Sequence, residues 1–169
     1  MISEKMANLI NDQYHREVFS VYQYLAMSSY FLDQDLDGFA NFFRVQADEE
    51  SLHAMKQFDY LHEVDGKITH QAIGAAGNDF NSILEVFEKG LEHERYITKH
   101  IHLIVKAALE ESDFPTYDFF QWFVREQVEE ESLMRNMIAK LKMISDNKSA
   151  LYLMNEELLQ RQAEGEAAA

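Results

Sequence analysis

The links between four long helical segments constrain the fold of this chain more than any other feature of its sequence. Only one Pro and six Gly interrupt the 169 residues, and helix formers such as Glu, Leu, Ala, Met and Gln are plentiful. Apolar periodicity and end signals predict helices over about residues 4–33, 38–65, 82–111 and 114–145. The end signals are N-caps at Ser3 and Asp113, a capping box of Ser82 with Glu85, and Gly66 as the C-terminal cap of the second helix. The first and third links are only a few residues long, so each predicts an antiparallel helix pair.

The second link, over residues 67–81, is much longer and contains Gly74 and Gly77. A link of about fifteen residues can extend to roughly 50 Å. A helix of about 28 residues is roughly 42 Å long. The link can therefore cross the full length of a bundle and make the second and third helices parallel. The sequence predicts an all-α four-helix bundle with one long crossover.

The rest of the chain adds one short element. A fifth amphipathic helix is predicted over about residues 148–160, and the tail from about 163 to 169 is expected to be disordered. At this length a single domain spanning residues 1–169 is the natural expectation.

Charge and composition exclude several classes of function. The net charge is −15, from 30 acidic and 15 basic residues, so we expect neither a nucleic-acid partner nor a membrane partner. No apolar run approaches the roughly 18 residues of a membrane span, and the first residues lack the apolar core of a signal peptide. Without Cys there is no thiolate metal site. These features predict a cytoplasmic protein. Excess acid fits either a solvated surface or a protein that holds cations, and composition does not choose between them.

Polar residues interrupt the apolar stripe of each long helix near its middle. A bundle helix needs apolar residues at spacings of three and four where it meets its neighbours. The interrupting residues, in helix order, are Glu17, then Glu50 with His53, then Glu94, then Gln127 with Glu130. They are expected to converge at one level of the interior, where unpaired carboxylates are costly and repel each other. Two divalent or trivalent cations would neutralise such a cluster.

The residue types indicate which metal the cluster would bind. A single mid-helix Glu is usually a surface residue, and Glu50 with His53 is a common pair by chance, so the prediction depends on the joint pattern. One imidazole among several carboxylates suits Fe or Mn, with Zn as a competitor. Open coordination positions would admit O₂ or peroxide, so we expect redox chemistry at two irons.

The motifs around these residues resemble those of prokaryotic non-haem ferritins along nearly the whole chain. The matching residues are Glu17, Glu49-Glu50-Ser51-Leu52-His53, Glu94, and the segment from Trp122 to Glu130. The resemblance implies a ferritin-like bundle in which Glu17, Glu50 and His53 hold a first iron. It implies that Glu94 and Glu130 complete a second iron site with Glu50 bridging, and that Gln127 lies close to that second iron.

The resemblance also implies roles that spacing alone does not suggest. Glu49, Glu126 and Glu129 would form a third iron site with Glu130, although runs of acid are usually solvated faces. Tyr24 would supply an electron, although its spacing is that of a core tyrosine, and packing is the expected role of Trp122. Haem is not expected, because bacterioferritins place a haem-ligating Met directly after the bridging Glu, where this chain has Ser51. The other histidines are interpreted as surface or packing residues: His15, His62, His70, His93, His100 and His102.

The function implied is that of a ferroxidase and iron store. Fe(II) would be oxidised by O₂ or H₂O₂, and Fe(III) mineral would collect inside a homo-oligomeric shell of twenty-four subunits with octahedral symmetry. The short fifth helix would then pack around the four-fold axes. Two alternatives remain open at this point: a di-iron peroxidase or oxygenase that stores nothing, and a purely structural bundle. Shell formation would distinguish an iron store from the first alternative, and stoichiometric iron binding would distinguish it from the second.

Overall fold

Five helices form the computed structural model, which describes residues 2–163 and shows no strand among them. They are α1 (Glu4–Leu32), α2 (Asp37–Glu63), α3 (Ile83–Glu110), α4 (Phe114–Ile144) and α5 (Lys148–Leu158). The predicted fold class, an all-α bundle with a short fifth helix, is confirmed. The predicted disordered tail lies outside the described residues except for its first residue, Ala163, which is buried.

Side-chain caps begin four of the five helices, because Ser, Asp and Asn oxygens accept the free amide protons of a first turn. The capping residues are Ser3, Ser82, Asp113 and Asn147. The predicted capping box of Ser82 and Glu85 forms with one difference. Glu85 accepts from the backbone N–H of Asn81 at 2.6 Å, one residue earlier than the pattern predicts.

The first turn of α2 is capped from elsewhere in the chain. Leu36 precedes it without a side-chain cap. Instead, Asn155 Oδ1 on α5 accepts from the backbone N–H groups of Gly38 at 2.9 Å and Phe39 at 3.3 Å. A Cβ atom on Gly38 would overlap the carbonyl group of Asn155. The short fifth helix is therefore tied to the start of α2.

The end of α2 differs from the predicted glycine cap. Asp65, not Gly66, adopts the left-handed conformation, with a φ of 61°. Gly66 follows it and donates its N–H to the carbonyl oxygen of Leu61 at 2.8 Å. A Cβ at Gly66 would overlap the Leu61 side chain and lie 2.9 Å from the Leu61 carbonyl oxygen. Glycine is needed here for close packing and not for its φ angle.

The long link runs beside α1. Asn11 exchanges side-chain hydrogen bonds with the backbone of Thr69, and Gln23 does the same with Gly77. The link therefore advances in the same direction as α1 and opposite to α2. It returns the chain to the level where α2 began, so α3 runs parallel to α2 as predicted.

Two apolar clusters fill the bundle above and below its middle. One contains Phe43 and Phe87, with ring centroids 4.9 Å apart, and the other contains Ile10 and Phe120. The polar residues of the four stripes lie at the level between them. No helix among residues 2–163 is both long enough and apolar enough to cross a membrane.

Candidate metal centre

The structure brings the six stripe-breaking residues together inside the bundle. All are buried, with exposed fractions between 0 and 5%: Glu17, Glu50, His53, Glu94, Gln127 and Glu130. Each of the four long helices supplies at least one of them from its middle turns, because similar helix lengths bring these turns to a common height. Charged residues are almost never buried this deeply without a partner.

One group of three ligands forms where the resemblance implies the first iron. Ligand atoms of Glu17, Glu50 and His53 all lie within 4.8 Å of one another. Burial, followed by the charge of Lys56, lowers the pKa of His53 to about 4. The imidazole is therefore neutral at physiological pH, and a neutral imidazole is the form that binds metal ions.

Buried oxygens without hydrogen-bond donors face this group. Glu17 Oε1 accepts from Gln13 Nε2 and Gln57 Nε2, each at 2.9 Å. The other Glu17 oxygen and both Glu50 oxygens have no hydrogen-bond partner. A buried acceptor left unsatisfied costs about 1–3 kcal/mol, and more when it is charged. Cations fit this set of ligands because they bind carboxylate oxygens to which no N–H or O–H group of the protein donates a hydrogen bond.

The second group differs from the set that the resemblance implies. Besides the first group, the only three His, Asp or Glu ligands that converge within residues 2–163 are His53, Glu126 and Glu130. Glu94 is engaged by hydrogen bonds from Tyr24 Oη and from Gln127 Nε2, the latter at 2.9 Å. The neutral phenol and amide donors satisfy the carboxylate oxygens that would otherwise ligate a cation.

Burial, together with mutual repulsion, makes the charged forms of the acids unfavourable. Burial is the main cause of the raised pKa of Glu50, followed by the charges of Glu94, Glu17 and Glu130. Burial also raises the pKa of Glu94 to about 7, against lowering hydrogen bonds from Tyr24 and Gln127. Without cations the centre therefore holds protons that metal binding would release.

The acids implied for a third site lie beside this centre, towards solvent. Glu49 is buried, Glu126 is half-buried and Glu129 is exposed. All three line an open cleft of about 490 Å³ that also reaches Glu130 and Arg161. The cleft joins the second group of ligands to the protein surface.

Several polar residues of the centre were not among the predicted site residues. Gln13 precedes Glu17 by four residues, Gln46 precedes Glu50 by four, and Gln57 follows His53 by four. Polar residues one turn from each proposed ligand were thus a usable signal. Arg161 carries no such signal, because it follows α5 and reaches the centre only through the tertiary fold.

Comparison with known proteins agrees with this geometry. Residues 7–144 match the model of the Ferritin-like domain. The chain is 40% identical to a bacterial non-heme ferritin of Campylobacter jejuni over 92% of this chain and 93% of that protein. It is 37% identical to a bacterial non-heme ferritin of Staphylococcus aureus over 94% and 95%.

Solved structures give the same result. An open pore ferritin from the hyperthermophilic archaeon Archaeoglobus fulgidus superposes with a TM-score of 0.94 at 44% identity, covering 96% of this chain and 100% of that one. The region that matches the family model, residues 7–144, includes every residue of the buried cluster. The chain belongs to the ferritin family, and its similar relatives are bacterial non-heme ferritins.

Proposed function

We propose that this ferritin is a ferroxidase and an iron store. It oxidises Fe(II) to Fe(III) with O₂ or H₂O₂ at a di-iron centre inside each subunit, and it keeps the product as ferric oxyhydroxide mineral within a protein cage. The observation that carries the proposal is the set of three buried carboxylate oxygens, on Glu17 and Glu50, that have no hydrogen-bond donor.

Iron is the substrate of this reaction, and the chain supplies position and charge. Two Fe(II) ions give two electrons to O₂, which takes up two protons and leaves as H₂O₂. Glu17, Glu50 and His53 bind the first iron, and Glu94 and Glu130 bind the second, with Glu50 bridging. Two cations among the four carboxylates offset the mutual repulsion that, after burial, raises their pKa values. Flexible carboxylates then follow the change from Fe(II) to the harder Fe(III).

Neighbouring residues tune the proposed centre. Gln127 donates to Glu94 at 2.9 Å and so fixes the orientation of that carboxylate without binding iron tightly. Tyr24 donates a hydrogen bond to the same carboxylate, and this contact supports a role in which the phenol gives one electron to the O₂-derived oxidant and passes its proton to Glu94. Glu49, Glu126, Glu129 and Glu130 hold a third iron on its way out of the centre.

An exposed apolar surface supports assembly. Large side chains along α1 and α2 are 46–53% exposed in the isolated subunit: Tyr22, Leu25, Leu52 and Met55. Contiguous exposed apolar groups of this kind mark protein contacts. We propose a homo-oligomeric cage of twenty-four subunits in the cytoplasm. The related archaeal ferritin is described as open-pored, and a closed form of it was engineered, so pore size is a separate variable in such assemblies.

The test is iron oxidation by a sample of known size. Fe(II) is added anaerobically to protein sized by chromatography, O₂ is admitted, and ferric absorbance is followed. We expect a large cage, rapid oxidation of about two Fe(II) per subunit and slower mineral growth afterwards. Glu50→Ala removes the fast phase, while Asp48→Asn, an exposed change on the same helix, keeps it. A small species that oxidises two irons and stops would move the protein to the di-iron enzymes.

A further inference from the structure

The segment after α5 is fastened to the start of α2. Asn41 Nδ2 donates to the carbonyl oxygens of Leu158 at 2.9 Å and of Arg161 at 3.0 Å. Asn155 caps the first turn of α2 from the same side. These contacts hold the backbone of residue 161 beside the acid-lined cleft.

The Arg161 side chain follows one face of α2 for two turns. Its Nη1 donates to the carbonyl oxygen of Phe42 at 2.8 Å, and the guanidinium lies 4.4 Å from the centre of the Phe42 ring. Its Nη2 donates to Gln46 Oε1 and, at 3.0 Å, to Glu49 Oε2. Planar guanidinium groups match such sets of oxygens well, and they stay charged at any physiological pH.

These contacts reach the proposed iron ligands by two routes. The Gln46 oxygen accepts from Arg161, so the Gln46 amide nitrogen points the other way and donates to Glu130 Oε2 at 2.7 Å. Glu49, one of the acids of the cleft, shares its carboxylate with the guanidinium. Arg161 therefore places a positive charge where the third cation would bind, and it orients a donor onto Glu130.

We propose that Arg161 is a positioning residue that occupies Glu49 in the metal-free subunit and is displaced when a third cation binds beside Glu130. This inference rests on the proposed function of the centre. The C-terminal segment thereby sets how tightly the acid-lined cleft retains iron. Every cation bound in that cleft must compete with the Arg161 guanidinium for Glu49. Weak retention favours onward movement to the mineral store.

Zinc binding to demetallated protein tests the proposal without any oxidation. Isothermal titration calorimetry compares unaltered cages with Arg161→Gln and with Arg135→Gln, which removes an equal charge from an exposed arginine of α4. The third zinc is identified by its loss in Glu129→Gln. We expect Arg161→Gln to bind the third zinc at least about fivefold more tightly, the equivalent of losing one partly exposed ion-pair competitor. The inner zinc ion against Glu17 and His53, which Arg161 does not reach, and every site of the Arg135→Gln protein are expected to remain unchanged.

A second variant covers the case in which Arg161→Gln fails to assemble. Asn41→Ala releases the segment but keeps the guanidinium, and it is expected to tighten the third site in the same direction. In crystals soaked with zinc, we expect the Arg161 guanidinium to have left Glu49.

Three results would overturn the proposal: unchanged or weaker third-site binding in Arg161→Gln, equal tightening in Arg135→Gln, or an Arg161 that stays on Glu49 beside the bound zinc. Absence of the two inner zinc ions in unaltered protein would instead refute the proposed function. The third-site comparison would still decide the role of Arg161.

Discussion

Glu50→Gln is expected to stabilise the metal-free protein while removing its function. The Glu50 side chain is 1% exposed, and neither of its oxygens has a hydrogen-bond donor. Burial and the charges of Glu94, Glu17 and Glu130 raise its pKa well above the ordinary 4.5. The folded metal-free subunit therefore keeps this carboxyl protonated at a pH where the unfolded chain would ionise it. An amide has nearly the same shape and needs no proton.

The size of the effect follows from linkage. At pH 7 the solution is 2.5 pH units above the pKa of 4.5 that this carboxyl has in the unfolded chain. Keeping the proton in the folded state lowers the free energy of unfolding by about 1.4 kcal/mol for each of these units. The upper limit is therefore about 3 kcal/mol, and we expect a gain of roughly 1–3 kcal/mol. For a chain of this size that is a rise of roughly 2–12 °C in the midpoint of thermal unfolding.

The sign of the pH dependence is fixed by the direction of the pKa shift. A carboxyl whose folded pKa is raised contributes its full stability below pH 4.5 and loses it as the pH rises towards the folded pKa. The advantage of Glu50→Gln is thus expected to be close to zero near pH 4.5 and to grow towards pH 7.

The assay compares thermal midpoints of chelator-treated protein between pH 4.5 and 7.5 at one scan rate. Asp48→Asn is the matched control, because Asp48 is exposed on the same helix. Added Zn(II) is expected to raise the midpoint of the unaltered protein more than that of Glu50→Gln. A Glu50→Gln protein that is less stable at pH 7, or an advantage that does not grow with pH, would refute the claim that this carboxylate is unsatisfied without metal.

Three other changes test further parts of the structure. Tyr24→Phe removes a hydrogen bond that lowers the pKa of Glu94, so this pKa is expected to rise above about 7. Infrared titration of the metal-free protein measures it, and an unchanged pKa would contradict the contact. The same variant is expected to bind two Fe(II) per subunit yet oxidise them more slowly. Gly66→Ala forces a methyl group into Leu61 and is expected to cost about 1–3 kcal/mol in chemical denaturation, whereas a neutral effect would contradict the close packing. Asn155→Ala removes the cap of α2 and is expected to cost about 0.5–2 kcal/mol, with faster amide exchange confined to the first turn of α2.

The helices and the level of the centre were predictable because they depend on local rules. Helical periodicity and the caps at Ser3 and Asp113 determine four helices, and the length of the link between the second and third helices determines their directions. Once the directions are known, the middle of each helix lies at one height. The burial of Glu17 and Glu94 then follows from their place on apolar stripes.

The remaining features depend on contacts between distant parts of the chain. Arg161 and Asn155 meet α2 only because the chain turns back after α4, and no periodicity indicates which residues then come into contact. The predicted cap at Gly66 was wrong by one residue: Asp65 adopts the left-handed conformation, and Gly66 is required for close packing against Leu61. The hydrogen bonds that Tyr24 and Gln127 donate to Glu94 in the metal-free subunit likewise depend on contacts between helices.

The central claim is that the buried carboxylates are arranged to hold two iron ions in each subunit. Diffraction at the iron absorption edge, from crystals soaked with Fe(II) under anaerobic conditions, tests it most directly. We expect two anomalous peaks per subunit inside the bundle, one against Glu17, Glu50 and His53 and one against Glu94 and Glu130. Peaks confined to the outer surface or the cleft, with the interior empty at saturating Fe(II), would contradict the account.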